Sequence, residues 1–125
     1  MKVKRVLISI KSTEQGLKEF AQTLTALQKG RIPKKRRGVY FVTLEAMRRV
    51  LTPKRLALLR VIRESHPNSI YELAGLVKRD IKNIQHDISL LARVGLVSLN
   101  KKAAPRETVV PSVGYDNLQL HIPVI

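Results

Sequence analysis

The chain has 125 residues, 44% of them hydrophobic, which suits one compact domain and argues against wholesale disorder. Twenty-four Lys and Arg against nine Asp and Glu leave a net charge of +15, so a polyanion is the first partner to consider. The absence of cysteine excludes disulfides, thiol catalysis and cysteine-bound zinc, and no apolar run approaches the roughly 20 residues that a membrane span needs.

The pattern of residues 1–38 predicts a strand, a helix and a basic linker. Val6, Ile8 and Ile10 alternate as in a strand, and Ser12 with Gln15 forms a capping box that opens a helix. The apolar residues of this helix recur at helical spacing before a stop at Gly30: Leu17, Phe20, Ala21, Leu24 and Leu27. The linker contains four consecutive cations: Lys34, Lys35, Arg36 and Arg37. They fit a phosphate-contacting arm, an RNA contact, a toxin-binding segment or a solvated linker.

Residues 39–113 begin with a short strand over 39–42 and a helix over 44–51. Thr52, followed by proline, then caps a helix whose predicted buried stripe is Leu56, Leu59 and Ile62. Ser69 and Glu72 form a second capping box, which opens a short helix that ends near residue 77.

Asp80 is predicted to cap the next helix, which ends before Gly95. A strand over 96–99, a polar loop over 100–107 and a return strand over 108–113 follow. Leu118, Leu120 and Ile122 alternate as a final strand within residues 114–125. The order helix, helix, helix, hairpin predicts an α+β fold, a winged helix-turn-helix with an N-terminal strand–helix extension and a C-terminal strand.

The helix that begins at Asp80 has two unlike faces. Ile81, Ile84, Ile88 and Leu91 share one side, and the opposite side is polar. Lys reaches guanine, Asn and Gln pair with adenine, and Ser bonds to either, so this polar side is suited to base edges in a major groove. We predict DNA contacts from this helix and the turn before it: Lys78, Arg79, Lys82, Asn83, Gln85, His86 and Ser89. A solvated helix face is the simpler interpretation, but the helix–turn–helix–hairpin order favours DNA.

The loop between the last two strands of this domain is the predicted wing. Lys101, Lys102 and Arg106 are its cations, and such a tip lays charge along phosphates or into a minor groove. An ordinary solvated hairpin loop is an equally simple interpretation of the loop taken alone.

Catalysis finds little support in the sequence. His66, His86 and His121 are scattered without metal-ligand spacing, and no nucleotide-binding or hydrolase motif occurs. We therefore expect a cytoplasmic, non-enzymatic protein without metal or cofactor.

Five stretches together resemble a family of predicted prokaryotic winged helix-turn-helix DNA-binding proteins related to the MarR-like and ArsR-like regulators: 51–59, 69–74, 79–87, 90–91 and 95–97. The resemblance covers residues 40–99 and continues weakly into Tyr115 and Asp116, but hardly reaches residues 1–38. Some members of the family are antitoxins encoded beside a small toxin. The resemblance therefore implies a DNA-binding antitoxin that represses its own operon.

The leading hypothesis is a homodimeric regulator of double-stranded DNA whose recognition helices enter successive major grooves about 34 Å apart. A second hypothesis is an interaction protein that mainly neutralises a toxin from the adjacent gene. Its surfaces for dimerising or capturing a partner are the strand–helix over 1–30 and the C-terminal strand. A third is an RNA-binding winged helix, since a charge of +15 also suits RNA.

Overall fold

The computed structural model describes residues 4–31, 38–103 and 108–124. Within these residues the chain is α+β, with five helices and five strands in two small sheets. The helices are α1 (Thr13–Gln28), α2 (Leu44–Val50), α3 (Pro53–Ser65), α4 (Ile70–Val77) and α5 (Ile81–Arg93). The strands are β1 (Arg5–Ile10), β2 (Gly38–Phe41), β3 (Ser98–Lys102), β4 (Thr108–Ser112) and β5 (Asn117–His121). The sequence of three helices and a β3–β4 hairpin is compatible with a winged-helix type of fold.

The predicted helix starts rest on local hydrogen bonds. The Ser12 hydroxyl accepts from the backbone N–H of Gln15 at 3.2 Å, and the Gln15 side chain accepts from the Ser12 N–H, so this capping box is confirmed. The Ser69 hydroxyl likewise accepts from the Glu72 N–H at 2.9 Å. The Glu72 carboxylate, however, accepts from the N–H of Asn68 and not from Ser69, so the second capping box is only half formed.

Two details of the predicted helices are wrong. Asp80 stands at the N-cap position of α5, but its side chain makes no capping hydrogen bond and is exposed. Leu56 is 43% exposed, and Leu58 is buried in its place beside Leu59 and Ile62. The reason is angular: each step of three residues turns a position by about 60° around the helix, so Leu56 lies about 120° from Ile62 and cannot share a narrow stripe with it.

The core lies under α5. Its members come from α3, α4, α5, the segment after α5 and the residue that follows β4: Leu58, Leu59, Ile62, Leu73, Ala74, Ile84, Ile88, Leu91, Leu96, Val97 and Val113. Val6 of β1 belongs to the same cluster, and Leu118 of β5 packs against it. The two ends of the chain therefore pack on the helical core.

The first sheet joins parts of the chain that are far apart in sequence. β1 is its central strand, parallel to β2 on one side and to β5 on the other, with Ile8 opposite both Val39 and Leu120. Asp116 fixes the start of β5, because its carboxylate accepts from the Lys4 N–H at 2.9 Å and from Arg63 of α3 at 2.6 Å. The predicted N-terminal extension and C-terminal strand thus form one sheet.

The second sheet is the antiparallel β3–β4 hairpin. The predicted strand over 96–99 begins late, because the Leu96 N–H still donates to the carbonyl of Leu91 at 2.9 Å and extends the end of α5. Lys101 and Lys102 belong to β3, where the prediction had a loop, and they lie opposite Val109 and Thr108.

Substitutions at two glycines, one inside α4 and one after α5, test the backbone geometry that the structure assigns to them. Gly95 has φ of +90°, a conformation that costs an L-residue about 1–2 kcal/mol, whereas Gly75 lies inside α4 with open space where a Cβ would stand. We expect Gly95→Ala to lower the free energy of unfolding by about 1–2 kcal/mol. Gly75→Ala should raise it by about 0.5–1 kcal/mol, because alanine has the higher helix propensity. Urea unfolding followed by circular dichroism measures both, and equal effects of the two changes would contradict the assigned geometry.

Candidate nucleic-acid interface

The helix α5 turns its apolar side into the core and its polar side outward. Ile84, Ile88 and Leu91 are 0%, 2% and 0% exposed. The residues on the opposite side are all exposed: Lys82, Asn83, Gln85, His86, Ser89 and Arg93. The predicted division of the helix into two faces is confirmed, and it leaves two cations and four neutral polar side chains open to a ligand.

Asp87, the acidic residue within α5, does not lie on that exposed face. Asp87 is 7% exposed, and its carboxylate accepts from Arg55 Nε at 3.1 Å and from an Arg79 guanidinium nitrogen at 2.8 Å. Arg55 also donates to the carbonyls of Arg49 and Val50 at 2.7 and 3.1 Å. The carboxylate therefore ties α5 to α3, to the end of α2 and to the turn before α5.

Two opposing effects set the protonation of Asp87. Burial by itself raises the pKa of this carboxyl, but the hydrogen bonds and positive charges of Arg79 and Arg55 outweigh it. The pKa of Asp87 is therefore held below its ordinary value of 3.8, and the group is an anion at neutral pH.

Arg79, predicted as a DNA contact, does not lie with the other predicted contacts on the exposed face. Lys78 adopts a left-handed conformation with φ of 54°, and the chain reverses there, so that the Arg79 N–H donates back to Ala74. The Arg79 guanidinium then points inward to Asp87, and its Nη1 is buried without a hydrogen-bond partner among the described residues. Arg79 holds α5 in place, while Lys78 stays exposed at the same turn.

The lysines of the predicted wing lie on a strand and are exposed. Neighbouring residues of a strand point to opposite faces, so Lys101 shares a face with Leu99, and Lys102 shares the other with Asn100. The predicted wing residue Arg106 and the predicted arm of Lys34, Lys35, Arg36 and Arg37 lie outside the described residues.

The described parts of the chain contain neither a candidate metal-binding cluster nor a candidate membrane-spanning helix. Residues 4–31, 38–103 and 108–124 contain no cluster of three or more His, Asp or Glu side chains that could hold a metal ion. Among the helices within these ranges, none is both long and apolar enough to cross a bilayer.

Sequence reasoning missed the Arg55–Asp87–Arg79 interaction, although a signal was present. Asp87 stands three residues after Ile84 and four before Leu91, so helical spacing puts it on the buried stripe. A carboxylate in that position needs a cationic partner, since an unpaired buried charge is costly. The sequence does not indicate which of the 24 basic residues supplies it.

A model of the HVO_A0114 family matches residues 50–120, which is more than half of the 125 residues. The chain belongs to the HVO_A0114 family. The matched region includes α3, α4, α5 and both strands of the hairpin, and it excludes β1, α1 and β2. The part shared with the family is therefore the helical core with its exposed α5 face. A comparison with curated proteins found no match.

Asp87→Asn should destabilise the fold and remove part of its acid sensitivity. The change leaves two partly buried guanidinium groups without their anion, which we expect to cost about 3 kcal/mol at pH 7. Because the folded pKa of Asp87 is lowered, its stabilisation is complete above the unfolded value and is lost as the pH falls below about 4. The variant should lack this contribution, so its unfolding free energy should fall less between pH 5 and about pH 3.

Asp80→Asn is the matched control, because it makes the same chemical change at an exposed carboxylate without a capping hydrogen bond. It should alter stability by no more than about 0.5 kcal/mol. Urea denaturation at several pH values compares the three proteins. Equal stabilities of Asp87→Asn and the wild type at pH 7 would contradict the role given to Asp87.

Proposed function

We propose that the chain is a sequence-specific double-stranded DNA-binding transcriptional regulator with a winged helix-turn-helix, in which α5 is the recognition helix. The observation that carries the proposal is the face of α5 opposite the core, which is exposed, basic and free of acids. A helix with one face anchored and the other rich in hydrogen-bonding groups suits a major groove about 12 Å wide. The net charge of +15 adds the electrostatic attraction that any DNA ligand requires.

The N-terminal half of α5 is proposed to read bases. Recognition helices contact base edges mainly with their first residues, which here are Lys82, Asn83 and His86. Lys82 is suited to guanine O6 and N7, and Asn83 to adenine N6 and N7. Gln85 and Ser89 lie on the same exposed face, and Lys78 is exposed in the preceding turn.

The β3–β4 hairpin is proposed to act as the wing. Lys101 and Lys102 add positive charge beside the duplex, which raises affinity for all sequences alike. Because the two side chains point to opposite faces of the hairpin, we expect them to contribute unequally.

An autoregulating antitoxin role stays a prediction from the family resemblance. Expression of the neighbouring gene alone and together with this chain tests it. Toxicity that this chain relieves would support the role, and a neighbour harmless on its own would contradict it.

Replacing Lys82 and Asn83 together with Ala should reduce sequence discrimination. Duplexes selected from a random library supply the preferred site, and a duplex of unrelated sequence supplies the reference. Each good base contact is worth about 1–3 kcal/mol, so the ratio of the two affinities should fall at least tenfold. Competition titration at fixed salt measures this ratio.

Two further variants distinguish base reading, which changes the affinity ratio, from electrostatic attraction, which changes the affinity for every duplex. Arg93→Ala removes a cation at the far end of the same face and should change the ratio far less. Lys102→Ala should weaken both duplexes similarly and lower the slope of log K against log salt by about 1. An unchanged ratio in the Lys82 and Asn83 variant would refute the assigned reading face. Tighter binding of a structured RNA of equal length would favour the RNA hypothesis.

A further inference from the structure

The helix α1 carries its apolar side chains outward. Leu17, Phe20, Leu24 and Leu27 are 64%, 63%, 45% and 53% exposed, and no residue of α1 is buried. We call these four residues the α1 stripe. Single exposed apolar residues are ordinary, but a continuous row along one helix marks an interaction surface.

The polar side of α1 is the side directed to its own sheet. Lys11, which follows β1, donates to Glu19, and Glu19 lies about 120° around the helix from the centre of the α1 stripe. Gln15 and Gln22 of α1 line a cleft that His121 of β5 also lines. Contacts among residues 4–31, 38–103 and 108–124 therefore use the polar side of α1 and leave the stripe uncovered.

The spacing of the stripe suits another helix of the same kind. Its four members follow one another at intervals of three, four and three residues, which is the a/d pattern of a coiled-coil seam. The 16 residues of α1 form a rod about 24 Å long. A seam of this pattern is self-complementary under two-fold symmetry.

The charge of α1 also favours a second copy over an acidic partner. Glu14 and Glu19 against Lys18 give α1 a net charge of −1, on a chain whose total is +15. Two copies approaching through α1 therefore avoid the repulsion between their basic surfaces. An acidic protein would be attracted instead to the basic remainder of the chain.

We propose that the α1 stripe is covered by the α1 stripe of a second copy of this chain, with the two helices antiparallel. Glu14 lies at the start of α1, and Lys29 and Arg31 follow its end. Antiparallel pairing sets the acidic end of each helix beside the basic end of its partner, and it opposes the two helix dipoles. Parallel pairing would bring like charges together at both ends.

The small area of the α1 stripe indicates that the dimer has a low affinity. A strip about 24 Å long and 10 Å wide is smaller than the roughly 800 Å² that each partner buries in a stable complex. The dimer should therefore be weak, reversible and dependent on concentration. The pairing does not require DNA, so it is tested separately from the proposed function.

Sedimentation equilibrium of the full chain without DNA tests the pairing. From low micromolar to submillimolar concentration, the average mass should rise from 14.2 kDa towards twice that value. Leu24→Lys places a charge in the stripe and should keep the mass at that of a monomer. Val124→Lys adds the same charge at a side chain that is 96% exposed and outside α1, and it should pair like the wild type. Circular dichroism verifies that each variant keeps its helices.

A wild-type chain that stays monomeric at submillimolar concentration would overturn the proposal, as would a dimer that Leu24→Lys leaves intact. Charge reversal tests the orientation. Glu14→Lys alone should weaken pairing, and so should Lys29→Glu with Arg31→Glu. All three changes together should restore it. Failure of this restoration, with the Leu24→Lys effect intact, would overturn the antiparallel arrangement.

Discussion

The ion pair of Asp87 with Arg55 and Arg79 is the constraint on which the exposed face of α5 depends. It fixes the rotation of α5 about its axis, because a carboxylate on the inner side is attached to α3 and to the turn that precedes α5. It also keeps the acidic side chain of α5 buried, so that cations and neutral polar groups form the exposed face of the helix. Both conditions favour the proposed approach of this face to a polyanion.

The features that could be predicted from the sequence are local. Ser12, Thr52 and Ser69 accept hydrogen bonds from the N–H groups three residues later, and the apolar period of α5 matches its buried side. Such features depend on neighbours within one or two helical turns. The polar face of α5 was predictable for the same reason.

Long-range contacts escaped prediction. The pairing of β1 with β5 joins residues 112 positions apart at Arg5 and Asn117, and no local pattern encodes it. Arg79 was predicted to contact DNA because recognition helices contact bases mostly with their N-terminal residues. Its direction is set by the left-handed backbone at Lys78 and by Asp87, which meet only in the folded chain. The sequence shows an amphipathic α1, but only the fold reveals that its apolar side is left uncovered.

Amide hydrogen exchange of the full chain, with and without a saturating duplex, tests whether α5 is the DNA-binding helix. We expect DNA to slow exchange at residues 78–89 and 98–102, where the exposed α5 face and the β3 lysines lie. Exchange in α1 should respond only to protein concentration. Protection by DNA confined to α1 or to the β2–β1–β5 sheet, with α5 unchanged, would contradict the assignment of α5 as the recognition helix.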